Sequence, residues 1–131
     1  MKKSTNLVYV FSLLLFGCYE VQRDCKTFKT GSFRFYYEIG GEEKVGEFKR
    51  TDSYNIDYIN GRPDSSSIRW VNDCEFVLTK IKPKNKSEEK PILMKILTTT
   101  DSSYTFEYQL VVKNPNKKLR VEKGTAFKIN K

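Results

Sequence analysis

The sequence predicts an all-β domain: an antiparallel up-and-down meander of about eight strands, forming a small barrel or a strongly curled sheet. Three observations predict it. Apolar and polar residues alternate along most of the chain, the period of a half-buried strand. Turn residues recur roughly every eight to twelve positions. Nine Phe and eight Tyr among 131 residues supply the bulk for one continuous core. Short sequential strands pair with their neighbours, and closing or curling the sheet removes exposed edges.

The strands follow in order. Phe33, Phe35, Tyr37 and Ile39 share one face of the first, opposite Arg34, Tyr36 and Glu38, and Gly40-Gly41 turns the chain. The second runs from Val45 to Arg50. The third sets Tyr54, Ile56 and Tyr58 toward the core and Asn55 and Asp57 toward solvent, and Asn60-Gly61-Arg62-Pro63 ends it. Ile68 and Trp70 mark the fourth, Asn72-Asp73 the next turn, and Cys74, Phe76 and Leu78 a fifth reaching Lys82. Between Pro83 and Pro91, Asn85 and Glu88 have the spacing of a capping box, which predicts one helical turn near 84–90. Two longer strands follow, Ile92 to Thr99 and Tyr104 to Val112, joined at Asp101-Ser102-Ser103. Asn114-Pro115-Asn116 separates them from a last strand, Leu119 to Ile129, around Gly124.

Ahead of the strands stands an export leader. Lys2 and Lys3 precede an apolar run from Leu7 to Phe16, broken only by Ser12, and Gly17 then precedes Cys18. Ten helical residues span about 15 Å, half of a bilayer core of roughly 30 Å, so the run predicts a removable signal and not a permanent span. Leu15-Phe16-Gly17-Cys18 resembles the bacterial lipobox, with Phe16 bulkier than the motif usually has. The resemblance implies that residues 1–17 are cleaved, that Cys18 is lipidated, that 18–24 form a tether and that 25–131 form a single β domain. An ordinary secretory signal with a free Cys18 thiol is the other reading. Tyr19 follows the anchor with no Asp beside it, and Glu20 to Asp24 make a poor acidic export run. By resemblance to Gram-negative lipoprotein sorting, this implies the outer membrane, at its periplasmic face.

With Cys18 consumed by lipid, Cys25 and Cys74 remain, and an oxidising compartment permits a disulfide between them. Two buried thiols are the alternative. A redox pair lacks support, because no C-x-x-C pattern occurs.

The chain contains no histidine. This excludes Ser-His-Asp and Cys-His catalysis, the H-E-x-x-H helix and the usual zinc sites. Ser87-Glu88-Glu89-Lys90 fits S-x-x-K, but it sits in a charged turn without S-D-N or K-T-G partners. Asp52, Asp57, Asp64, Asp73 and Glu75 could act in pairs. Their predicted places are solvent-facing strand positions or turns, so no catalytic residue, metal or cofactor is expected.

The net charge is +8, from 24 Lys and Arg against 16 Asp and Glu, and becomes +6 when Lys2 and Lys3 leave with the leader. Lys80, Lys82, Lys84 and Lys86 form one cluster, and Lys113, Lys117, Lys118, Arg120, Lys123, Lys128 and Lys131 another. Export separates such clusters from nucleic acid and leaves anionic headgroups or lipopolysaccharide as nearer partners. The plainer reading is that lysines keep a small β domain soluble and blunt its edges.

Four stretches, Asp24–Gly31, Ser67–Phe76, Met94–Thr99 and Lys123–Ile129, resemble a family of small Bacteroidetes envelope lipoproteins. Members are sometimes labelled DNA topoisomerase IV, an activity needing an ATPase domain, an acidic metal site and a gate tyrosine in far longer chains. The resemblance implies an architecture and a location but no reaction. The function expected is a membrane-anchored, non-catalytic envelope lipoprotein whose β domain binds an envelope protein or a small amphipathic ligand in a lipocalin-like mouth. Phe35, Tyr58, Trp70, Phe106 and Tyr108 are the candidate ligand-facing aromatics. A carboxylate-dependent envelope enzyme and a passive structural module are the alternatives.

Overall fold

A computed structural model describes residues 22–112, 115–116 and 121–130. The leader, Cys18 and the residues that would open the last strand at Leu119 lie outside the described residues. Eight strands run β1 (Gly31–Ile39), β2 (Glu42–Arg50), β3 (Tyr54–Ile59), β4 (Arg62–Asn72), β5 (Glu75–Lys80), β6 (Ile92–Thr99), β7 (Ser103–Leu110) and β8 (Glu122–Ile129). Each pairs antiparallel with the next, and β8 returns to β1, closing the barrel.

Two tight hairpins set the registers. Gly40 and Gly41 both have positive φ, 60° and 79°, as a two-residue turn of the right twist requires. From it the pairing runs Ile39↔Glu42 to Phe33↔Phe48 and Gly31↔Arg50. Asn60 and Gly61, at φ 50° and 74°, make a second such turn. Since that turn takes only two residues, Arg62 and Pro63 belong to β4 instead of ending β3.

The same registers overturn one expectation. Phe48 faces the core, so its partner Asp57 does too, and Asn55 follows from Arg50. On β3, then, Asn55 and Asp57 point inward while Tyr54, Ile56 and Tyr58 point outward. The tyrosines correct the sequence reading in the same sense. Of the six described, only Tyr104 is buried.

The connection 81–91 holds no assigned helix. The capping contacts form without one. Asn85 Oδ1 accepts from the amides of Ser87 and Glu88, both at 3.0 Å, and Glu88 Oε2 accepts from that of Lys84 at 2.9 Å. Flanking prolines leave room only for successive turns.

The barrel has a closed base and an open mouth. At the base, a 3₁₀ turn (Lys26–Phe28) enters as a plug, carrying Cys25 and Phe28 into the core with Phe33, Phe48, Phe76, Ile96, Tyr104 and Ala126. Cys25 and Cys74 form a disulfide, which ties the plug to the β4–β5 turn. Arg23 and Asp24, expected in the tether, are bonded to the wall: Arg23 donates to Ile96 O at 2.8 Å, and Asp24 N to Thr99 Oγ1 at 2.9 Å. At mid-height Gly46 and Gly124 admit aromatic rings. A Cβ on either would stand 2.3 Å from Phe35 or 2.7 Å from Phe106.

Candidate functional site

The lumen has two unlike walls. One is a polar lane on β2 to β5, beginning with Arg50, which is 2% exposed. Its guanidinium donates to Phe28 O at 3.0 Å, Tyr104 Oη at 2.9 Å and Asn55 Oδ1 at 3.3 Å. Four rings surround it, those of Phe33, Phe48, Phe76 and Tyr104, with centroids 4.5–5.6 Å from Cζ. Arg50 thus locks the plug carbonyl to the wall. The Tyr104 hydroxyl beside it is pushed up in pKa by burial, against the pull of that cation.

From Asn55 the lane climbs toward the mouth. Asn55 Nδ2 donates to Asp57 Oδ1 at 3.2 Å, and Asp57 stands directly across from Asp64. Asp64 is ion-paired with Lys80, itself opposite the buried Ser66. Burial raises the pKa of Asp57, and the Asp64 charge adds to this while Lys80, Asn55 and Arg50 oppose it.

The second wall is aromatic and apolar. On β7, Tyr104, Phe106 and Tyr108 form a ladder with centroids 5.8 and 6.3 Å apart. On β1, Phe35 and Tyr37 stand 5.6 Å apart. Leu78 on β5 and Met94 on β6 also pack against the core. Toward the mouth the lumen is therefore amphipathic, with Asp57, Asp64 and Lys80 on one side and the aromatic pairs of β1 and β7 on the other.

The predicted aromatics divide accordingly. Phe35, Phe106 and Tyr108 face the lumen, with Tyr108 nearest the mouth. Trp70 faces inward but lies at the base, 4.6 Å from the Phe76 ring and with Lys29 Nζ 4.7 Å over its face. It serves the plug, away from the mouth. Tyr58 is a correction: it points outward from β3, across from Glu47. Asp57 and Asp64, expected in solvent, are lumen residues, whereas Asp73 is exposed and paired with Lys29 at 2.9 Å. Ser87 to Lys90 stay in the exposed 81–91 turn, and among the described residues no cluster of His, Cys, Asp or Glu is placed to hold a metal.

Arg50, Asn55, Asp57, Asp64 and Lys80 went unread as a group. Part of the signal lies in the turns: counting from Gly40-Gly41 puts Arg50 on the face of Phe33 and Phe48, and counting from Asn60-Gly61 puts Asp64 on the face of Asn55 and Asp57, but the β2–β3 register that joins the two sets follows from neither turn. Comparison with protein-family models, curated proteins and solved structures finds no match.

The raised pKa of Asp57 gives a pH dependence with a definite sign. Its folded state holds the proton to higher pH than the unfolded chain, so this group's contribution to stability falls as pH rises from the unfolded value of about 3.9 through the folded one. Asp24 and Asp73 act oppositely. The Thr27 hydroxyl bonded to Asp24 and the Lys29 ammonium bonded to Asp73 hold both carboxyls below their usual range, so acid removes what they contribute. Asp57→Asn isolates the first effect: it should stabilise the domain at pH 7, and the gain should shrink at pH 4. Urea unfolding at both pH values checks this, and destabilisation at pH 7 would mean that Lys80 and Arg50 outweigh burial.

Proposed function

We propose that the chain is a lipid-anchored, non-catalytic lipoprotein of the outer membrane's periplasmic face, whose barrel takes an amphipathic ligand through its mouth. The observation carrying the reading is the amphipathic lumen, in which Asp57, Asp64 and Lys80 face the Phe106–Tyr108 ladder. Such a lining suits a molecule with one polar and one apolar side. The lipobox-like Leu15–Cys18 and the family resemblance support the location. Gln22, at the closed base, is four residues from Cys18, so at most about 14 Å of chain separates base from lipid. An anchor there leaves the mouth facing away from its own membrane.

The test has two arms. Labelled palmitate should enter the wild-type chain and not Cys18→Ala, and an unlabelled wild type ends the anchoring claim. A neutral naphthylamine dye should bind the oxidised protein and lose about tenfold in affinity in Tyr108→Arg, which sets an unpaired charge against the ladder. A wild type that binds no dye ends the ligand claim and leaves a protein partner.

One observation favours a second reading, a carboxylate-dependent envelope enzyme: Asp57 and Asp64 converge across β3 and β4. A carboxyl with raised pKa facing a second carboxyl that is bonded to a lysine is the arrangement of an acid paired with a stabilising group. Turnover of an envelope glycan, lost in Asp64→Asn while dye binding survives, would decide for it.

A further inference from the structure

We infer that the outer wall formed by β8, β1, β2 and β3 pairs with the same wall of a second copy of this chain, about a two-fold axis running along the strands between Arg34 and Glu47. The registers lay one outward row straight across this wall: Phe127, Arg34, Glu47 and Tyr58, with Pro63 of β4 beyond. In order, these are a ring, a cation, an anion and a ring. A two-fold rotation reverses the order, so rings meet rings and each charge meets its opposite: Phe127 faces the partner's Tyr58, and Arg34 faces the partner's Glu47. Within one copy Arg34 already donates to Glu47 at 2.8 Å, so pairing gathers four alternating charges into one ring. The neighbouring rows behave in the same way. Toward the base run Ile129, Ser32, Lys49 and Ile56, which bring isoleucine to isoleucine. Toward the mouth, Tyr36 stands beside Val45 and meets the partner's Val45. Glu38 and Glu43 come next, where the rotation would oppose carboxylates, so the contact ends below the hairpin.

This wall is apolar where a solvated one carries charge. Tyr36, Val45, Tyr58 and Phe127 are between 41% and 54% exposed, and the Tyr36 and Phe127 rings pack edge to face at 6.0 Å. On the far side of the barrel the outward row is Glu75, Lys95, Glu107 and Lys123, charged throughout. Between Tyr58 and Ile129 a groove of about 550 Å³ gives the wall relief that a facing side chain can enter. An unrelated partner would have no need of a row that complements its own reverse. Four strands about 4.8 Å apart and three rows about 7 Å apart make a face of roughly 400 Å², below the roughly 800 Å² per partner of a standard interface. Free copies should therefore pair weakly. The rotation keeps both closed bases on one side, so copies held on one membrane meet wall to wall at a raised effective concentration. None of this depends on what the lumen binds.

The test uses the full chain in cells that make it with two different epitope tags. Benzoylphenylalanine in place of Tyr36 should cross-link one tagged form to the other under ultraviolet light, and in place of Lys95 it should not. Arg34→Glu sets carboxylates against carboxylates and Glu47→Arg sets guanidinium against guanidinium, so each alone should lower the cross-link about tenfold or more. Produced together, the two variants restore both charge pairs between copies although the pair within each copy stays broken. Their mixed cross-link should return to near the wild-type level while each variant's cross-link to itself stays low. A Tyr36 probe that joins no second copy, whether it joins nothing or another protein, would overturn the proposal. Equal cross-linking from Lys95 would do the same, since it reports crowding on the membrane and no particular wall. A mixture as weak as either variant alone would overturn the two-fold pairing of Arg34 with Glu47, and the proposal with it.

Discussion

Arg50→Met is expected to lower folding stability by about 3–5 kcal/mol, the largest effect of any single substitution in the domain. Methionine fills most of the space between the Phe33, Phe48, Phe76 and Tyr104 rings, so the loss is polar in origin. Three acceptors bonded to the guanidinium, Phe28 O, Tyr104 Oη and Asn55 Oδ1, would be left in an interior that water does not reach. Each unsatisfied group costs about 1–3 kcal/mol, and relaxation of the plug recovers part of the sum. Arg50→Lys keeps the charge but cannot span three acceptors from one point, so an intermediate loss of about 2 kcal/mol is expected. Urea unfolding of the oxidised variants measures both. A methionine variant as stable as wild type would show that the aromatic box alone holds the base together.

Fold and site were legible in the sequence to different degrees, and the difference has a physical origin. Alternation identifies a strand but not which face is inward when both faces carry bulk. Along β3, Tyr54, Ile56 and Tyr58 alternate with Asn55, Asp57 and Ile59, and hydrophobicity alone assigns the tyrosines to the core. The folded registers assign them to solvent: Phe33 fixes Phe48 through a two-residue turn, and Phe48 pairs with Asp57 across the 51–53 connection, whose register no turn motif announces. One residue of phase decides whether two carboxylates lie in water or in the lumen. The polar lane was hidden for a second reason: burying Arg50 is favourable only because Phe28 O, Asn55 and Tyr104 converge from three separate segments. No local pattern encodes that convergence. The strand order and the pairing of Cys25 with Cys74 were legible because each follows from a short rule, neighbour pairing for the strands and elimination for the cysteines.

The second large effect is expected at the disulfide. Cys25 and Cys74 are separated by 49 residues, and releasing that loop in the unfolded chain should cost about 4 kcal/mol on the chain-entropy account. For a domain whose whole stability is of order 5–15 kcal/mol, this is a large share. The Cys25→Ala, Cys74→Ala variant should nevertheless keep its barrel, because Arg50 still holds Phe28 O and Lys128 still donates to Thr27 O at 2.7 Å. The loss should appear as a lower unfolding midpoint with the native spectrum retained, and as faster tryptic cleavage at Lys26 and Lys29. Arg50 and the disulfide secure the same plug, so their effects should not add. Once one has freed the 3₁₀ turn, part of what the other held is already lost, and the combined variant should fall short of the sum by about 1–2 kcal/mol, within the range for residues sharing a structural unit. Unfolding of the four members of this cycle measures the coupling directly. Strict additivity would show that Phe28 stays seated without its covalent tie, and that the plug is held by its own packing.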